Sequence, residues 1–173
     1  MSAMRDLMLR DGYEAISVRD ITDRANIGRS TFYEHFANKA DVLRESLLFV
    51  LTPLADTLAP KASSSRLALV LQHFWDARDV STIVLTGTTR ALTAQILAGL
   101  IEERLAGRRD RRFPPRTPLP LVARGLAELQ LGVIGSWLTA GDTCPAEAIA
   151  QTLHAATNAA ACAMSALRSV DSR

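Results

Sequence analysis

Apolar positions recur at steps of three and four along most of the chain, which predicts helices rather than strands. Val18, Ile21 and Ala25 share one face of a short segment, and Arg19, Asp20, Asp23 and Arg24 lie off it. Ser17 precedes this segment as an N-cap, and Asp20 three residues on completes a capping-box pattern with Asp in place of Glu. Asn26-Ile27-Gly28 then breaks the run. Asn and Gly tolerate positive φ, and Ile27 can plug the gap between two helices. A second short helix is predicted from Arg29 to about Phe36, with Phe32 and Phe36 facing inward. Arg29, Ser30, Thr31, Tyr33, Glu34 and His35 are left on its outer faces. Asn38 caps the next helix, with Asp41 at its third position.

Beyond residue 44 the same periodicity predicts a larger helical body. Leu43, Leu47, Val50, Leu54 and Leu58 form one stripe from Lys39 to Leu58, which Pro53 is expected to kink. Pro60–Ser65 reads as a turn, and Ser63–Ser65 as caps for a helix from Arg66 to about Arg78. A short segment precedes Gly87, and a longer helix is predicted from Thr88 to about Leu105. From Leu121 to Ala140 the chain is apolar on nearly every side, with Val122, Leu126, Leu129 and Val133 on one face and Leu131, Ile134 and Leu138 on another. Gly141-Asp142 ends that helix, and Pro145 is placed at the first position of the last one, with Cys144 at its cap. Ile149, Leu153, Ala156, Ala160, Ala163 and Leu167 form the predicted stripe of the last helix. A helix with two apolar faces, beside one with small residues, suggests self-association of residues 121–140 and 145–168 as a four-helix interface. Closure of the monomer's own core by the same helices is the alternative.

Two short helices joined by a three-residue turn, followed at once by a third, have the geometry that sets one exposed helix in a DNA major groove. Arg29 can pair with guanine, Ser30 and Thr31 can reach bases or phosphates, and Tyr33 and His35 can donate to phosphate. Lys39 stands in the first turn of its helix, where a cation opposes the helix dipole. A phosphate at that helix end would explain it, and a solvated lysine is the plainer reading.

With these residues in view, residues 12–43, and Ser-Thr-Phe-Tyr-Glu-His-Phe-Ala-Asn-Lys at 30–39 above all, resemble the DNA-binding domain of the TetR family of bacterial transcriptional regulators. The resemblance implies an all-α fold: an N-terminal three-helix bundle with a helix-turn-helix over residues 1–44, and a helical effector-binding and dimerisation domain over 45–173. It implies that Arg29, Ser30, Thr31, Tyr33 and His35 line the recognition helix, that Ser17 caps the helix before it near phosphate, and that Lys39 holds phosphate. Asn26 stands where the family usually has Gly, and Gly28 where it has a Ser cap, so a slightly weaker cap is expected. Only Met1–Arg10 precede Asp11-Gly12, where family members often carry a longer basic arm, and contacts by such an arm are not expected.

The resemblance also implies a repressor that binds a near-palindromic operator as a homodimer and is released by a small effector. Phe49, Phe74, Trp75 and Trp137 could line an effector cavity or simply pack the core. Few charges fall within the apolar faces, which favours a largely apolar effector, with His73 and Gln130 as candidate anchors.

Composition narrows the alternatives. Hydrophobic residues make up 48% and aromatics 5%, and the prevalence of Ala and Leu favours helix. No uncharged apolar run is long enough for a membrane span, and no secretory leader is seen. Two cysteines, Cys144 and Cys162, fit a reducing cytosol rather than a disulfide framework, so a cytoplasmic location is expected. The net charge is only +2, and residues 1–44 carry seven basic and seven acidic groups. DNA binding must then rest on the placement of charge. That neutrality is the one argument for a competing reading, a helical protein-interaction adaptor that keeps the shape without DNA binding. Arg104, Arg108, Arg109, Arg111, Arg112 and Arg116, with prolines after them, read as a solvated loop before a nucleic-acid patch. Catalysis is not expected: His35, His73 and His154 are scattered, no metal-ligand spacing or Gly-rich loop occurs, and no cofactor is implied.

Overall fold

The computed structural model describes residues 2–59, 64–107, 117–140 and 144–166. Its secondary structure there is helical: α1 (Ser2–Asp11), α2 (Val18–Ala25), α3 (Arg29–His35), α4 (Lys39–Ala55) with a 3-10 turn at Asp56–Leu58, α5 (Ser64–Asp76), α6 (Arg78–Thr86), α7 (Arg90–Ala106), α8 (Leu119–Thr139) and α9 (Ala146–Ala166). Gly141-Asp142, Leu167, the Pro60–Ser63 part of the predicted turn and most of the arginine-rich loop lie outside the described residues.

The predicted α4 stripe is the spine of the molecule. Leu43, Leu47, Val50, Leu54 and Leu58 are all buried, and α4 packs on α5 and α7. Because α4 runs unbroken from Lys39 to Ala55, it belongs to both the N-terminal unit and the body. Pro53 sits in its last turn, and the helix tightens into the 3-10 turn three residues later. Helix α8 is the centre of the body, packed on α6, α7 and α9. Its two predicted apolar faces differ. Leu131, Ile134 and Leu138 of one are all buried, whereas the other is mixed: Val122 and Leu126 are buried, and Leu129 and Val133 are half-buried.

Helix α9 turns a different face inward from the one expected. Ala146, Ala150, Leu153, Thr157 and Ala161 are buried, and of the described residues of the predicted stripe only Leu153 is among them. Ile149, Ala156 and Ala160 are half-buried, and Ala163 is exposed. Pro145 stands one residue before the helix, its carbonyl accepting from Ala148 and Ile149 N–H. A buried polar knot ties α8 and α9 to the end of α4. The Gln130 amide nitrogen lies 3.1 Å from Leu54 O, Thr57 Oγ1 and Thr157 Oγ1, which share its two hydrogens, and Asn158 Nδ2 donates to Thr57 O at 3.0 Å. Of the arginine-rich cluster, Arg104 is described; it pairs with Asp56 at 3.0 Å and holds α7 to the 3-10 turn. Among the described residues no single helix is long and apolar enough to cross a membrane; α6 and α7 pass that test only as a pair bent by 86°.

Candidate nucleic-acid interface

Local chemistry shapes the α2–α3 corner. Ser17 has extended backbone (φ −102°, ψ 164°), and its Oγ accepts from Asp20 N at 3.2 Å. Ser17 N and Oγ donate back to Asp20 Oδ2 at 2.8 and 2.6 Å, so the capping box is complete with Asp. The hydrogen bond from the Ser17 hydroxyl, and then that from its backbone N–H, hold the Asp20 carboxyl below its ordinary pKa. Asn26 supplies the left-handed residue that ends α2 (φ 54°, ψ 48°), and its N–H reaches Thr22 and Asp23 carbonyls. Gly28 is an extended N-cap (φ −71°, ψ 151°) with no side-chain bond, the weak cap its lack of a hydroxyl implies. Ile27 does not plug the corner, as it is 41% exposed. Thr22, buried instead, fills the inner side of α2 beside Ile21.

Helix α3 is anchored through one face and bare elsewhere. Phe32 is 1% exposed, with its ring 5.6 Å from Phe36 and edge-on to Tyr33 at 5.3 Å. Arg29, Ser30, Thr31, Tyr33, Glu34 and His35 are all exposed. Among the described residues Arg29 makes no ion pair. The corner thus presents one short helix whose polar residues stay exposed, Tyr33 and His35 touching the fold only through their rings on Phe32 and Phe36 among the described residues.

Lys39 lies otherwise than expected. Its Nζ does not point out toward a phosphate but folds back under the loop between α1 and α2. It donates to the carbonyls of Tyr13 (3.0 Å), Glu14 (3.1 Å) and Ile16 (2.9 Å), and sits 4.6 Å from the Tyr13 ring centroid. An ammonium has three hydrogens, and these three carbonyls match them. Its position in the first turn of α4 is explained by this clasp.

The sequence profile of the bacterial regulatory proteins, tetR family, matches residues 1–46. Over 129 residues the chain is 32% identical to the uncharacterized HTH-type transcriptional regulator YdeS of Bacillus subtilis (strain 168), covering 74% of this chain and 61% of that protein. Over residues 1–46 the chain is thus similar to the TetR family. It spans about three fifths of the length of YdeS. Among solved structures, a TetR transcriptional regulator from Streptococcus agalactiae 2603V superposes with a TM-score of 0.57 at 21% identity, covering 90% of this chain and 89% of that one. Thermus thermophilus FadR, a TetR-family transcriptional repressor solved with lauroyl-CoA, gives 0.52 at 16% identity, covering 99% and 96%. At these identities the likeness is one of fold: the TetR arrangement of a helix-turn-helix on a helical body.

Of the candidate effector residues, two border one cavity among the described residues. His73 and Phe74 border a cavity of about 210 Å³ walled by α1, α4, α5 and α6. Phe49 is 72% exposed on α4 and meets His73 edge-on at 6.2 Å outside it. Trp75 turns about 100° away from Phe74 and stacks on Trp137 at 5.0 Å, with Arg78 over its ring. Trp137 Nε1 donates to Cys144 O at 2.9 Å. Gln130, wholly buried, already has protein acceptors for its amide hydrogens. The cavity lies against the helix-turn-helix unit, a position no periodicity could reveal, because Met4 and Met8 of α1 form one wall.

Proposed function

We propose that the chain is a transcriptional regulator, a repressor, that binds a near-palindromic duplex operator as a homodimer and is released by a small effector. Helix α3 is the reading element. Arg29, Ser30 and Thr31 occupy its N-terminal half, the part that meets base edges when such a helix enters a major groove. Tyr33 and His35, further along, contact the phosphate backbone, as does Ser17 at the start of α2. The observation that carries this reading is the combination of a capped, packed corner with an α3 whose polar side chains stay exposed. The carboxylates of residues 1–44 cancel their cations in number, so phosphate contacts are few and the salt dependence modest.

Selection of bound sequences from random duplex DNA at two salt concentrations tests the reading. The expected result is an enriched, near-palindromic site with half-sites one helical turn apart. Arg29→Ala should then weaken binding by about 1–3 kcal/mol at one base pair per half-site and relax preference there. No binding at low salt would overturn the proposal in favour of a protein-interaction adaptor. Equal loss on all sequences would move Arg29 to the backbone contacts.

A further inference from the structure

We propose that the cavity between α1 and the body binds a small amphiphilic monocarboxylate, its apolar part inside and its carboxylate on Arg5. The walls are apolar on every side: Met4 and Met8 from α1, Leu47 and Val50 from α4, Phe74 from α5 and Val84 from α6. Polar groups are sparse. Ser46 and Ser81 are short hydroxyls, Ser46 Oγ is already bonded to Val42 O at 2.8 Å, and the His73 ring, edge-on to Phe49, borders the cavity from α5. Arg5 borders the cavity from α1 and is itself exposed. Among the described residues it makes no ion pair and no side-chain hydrogen bond, whereas its neighbour Asp6 is paired with Arg24 of α2. No Asp or Glu borders the cavity.

An apolar chamber with one uncommitted guanidinium beside it selects its ligand by charge and by shape. Guanidinium is matched in geometry by a carboxylate. A ligand cation would meet Arg5 with like charge, and a second anionic group would have to enter an apolar wall. Size sets the other bound. An apolar cavity of roughly 150 Å³ holds benzene, so the ~210 Å³ here takes about eight carbon atoms. The two methionines give that wall some adaptability. A medium-chain alkanoate or a phenylalkanoate has this form.

The site would also act on the DNA-reading unit. Arg5 and Asp6 are consecutive on α1; one would hold the ligand while the other holds α2 through Arg24. Helix α1 packs on α2 on one side and α6 on the other. Occupancy would therefore fix the angle of α1 between body and helix-turn-helix. This coupling rests on the DNA-binding reading, whereas ligand binding itself does not.

The test uses the full chain without DNA, so a failure of operator binding cannot be mistaken for a failure here. Octanoate, octanamide and octylamine are titrated by calorimetry. One octanoate per chain is expected, with octanamide and octylamine about tenfold weaker or more. Arg5→Gln should lower octanoate affinity about tenfold and leave octanamide unchanged, since one charge-assisted contact is lost. Location is read independently from nuclear Overhauser contacts between the octanoate chain and the Met4 and Met8 methyl groups, which needs no variant. Equal affinity for octanoate and octanamide, indifference to Arg5→Gln, or absence of Met4 and Met8 contacts would each overturn the proposal.

Discussion

Three carbonyl oxygens from a single loop converge on Lys39 Nζ, and this changes what its removal should do. A phosphate contact on the surface would leave stability alone and flatten the salt dependence of DNA binding. A clasp that satisfies buried-side carbonyls should do the reverse. We expect Lys39→Ala to lower unfolding free energy by about 1–3 kcal/mol in urea titration, with the salt slope of operator binding unchanged. An unaltered unfolding midpoint together with a flattened slope would return Lys39 to the phosphate. Asp20 gives a second residue-scale prediction through pH. Hydrogen bonds from Ser17 depress its pKa in the folded state, so its contribution is present in full above the unfolded value of about 3.9 and fades as pH falls through the folded one. The difference in thermal midpoint between wild type and Asp20→Asn should therefore be constant near neutrality and shrink below about pH 4. A difference that grows on acidification would contradict the capping role. Both capping partners were legible in the sequence, because a capping box is a three-residue spacing. The Lys39 clasp was not, because its acceptors lie 23 to 26 positions away.

Elements whose limits depend on neighbours in sequence were equally legible. Asn26 ends α2 in the left-handed region, and Asn38 starts α4 by accepting from Ala40 and Asp41 N–H. The α6–α7 corner is of the same local kind. Gly87 joins two helices bent by 86°, and a Cβ there would lie 2.6 Å from Ile83 O. That oxygen accepts the Gly87 N–H at 3.0 Å, so the backbone cannot move away without losing the bond that closes α6. Gly87→Ala should destabilise the fold by about 1–3 kcal/mol, the range for forced overlap in a packed structure, measurable by urea unfolding. An unchanged midpoint would mean that the corner opens freely. Rotation of α9 was less legible. Alanine lines that helix on several sides, so periodicity alone could not distinguish Ala146, Ala150 and Ala161, which are buried, from Ala156 and Ala160, which are half-covered. Contacts with α5 and α8 decide it.

At the scale of the whole molecule, the rotation of α9 sharpens the expectation of self-association. Ala155, Ala159 and Ala163 fall four apart on its exposed side, while Leu129 and Val133 of the neighbouring α8 are only half-covered. Small side chains would let a second copy approach closely, and a two-fold pairing of α8 and α9 would form the four-helix interface. The proposed function would give this pairing a purpose, since two copies of α3 must stand ~34 Å apart to enter successive major grooves. Ala159 is the position to probe, because it is exposed in the single chain and a long side chain there costs the fold little. The parent should sediment as a dimer, and Ala159→Arg as a monomer with an unaltered far-ultraviolet spectrum. Affinity for the full palindrome should fall about a hundredfold or more, because the second half-site is then no longer bound intramolecularly. Affinity for an isolated half-site should stay the same, which separates a lost partner from a damaged α3. A variant that keeps both the parent's mass and its operator affinity would place the two-fold axis elsewhere on the body.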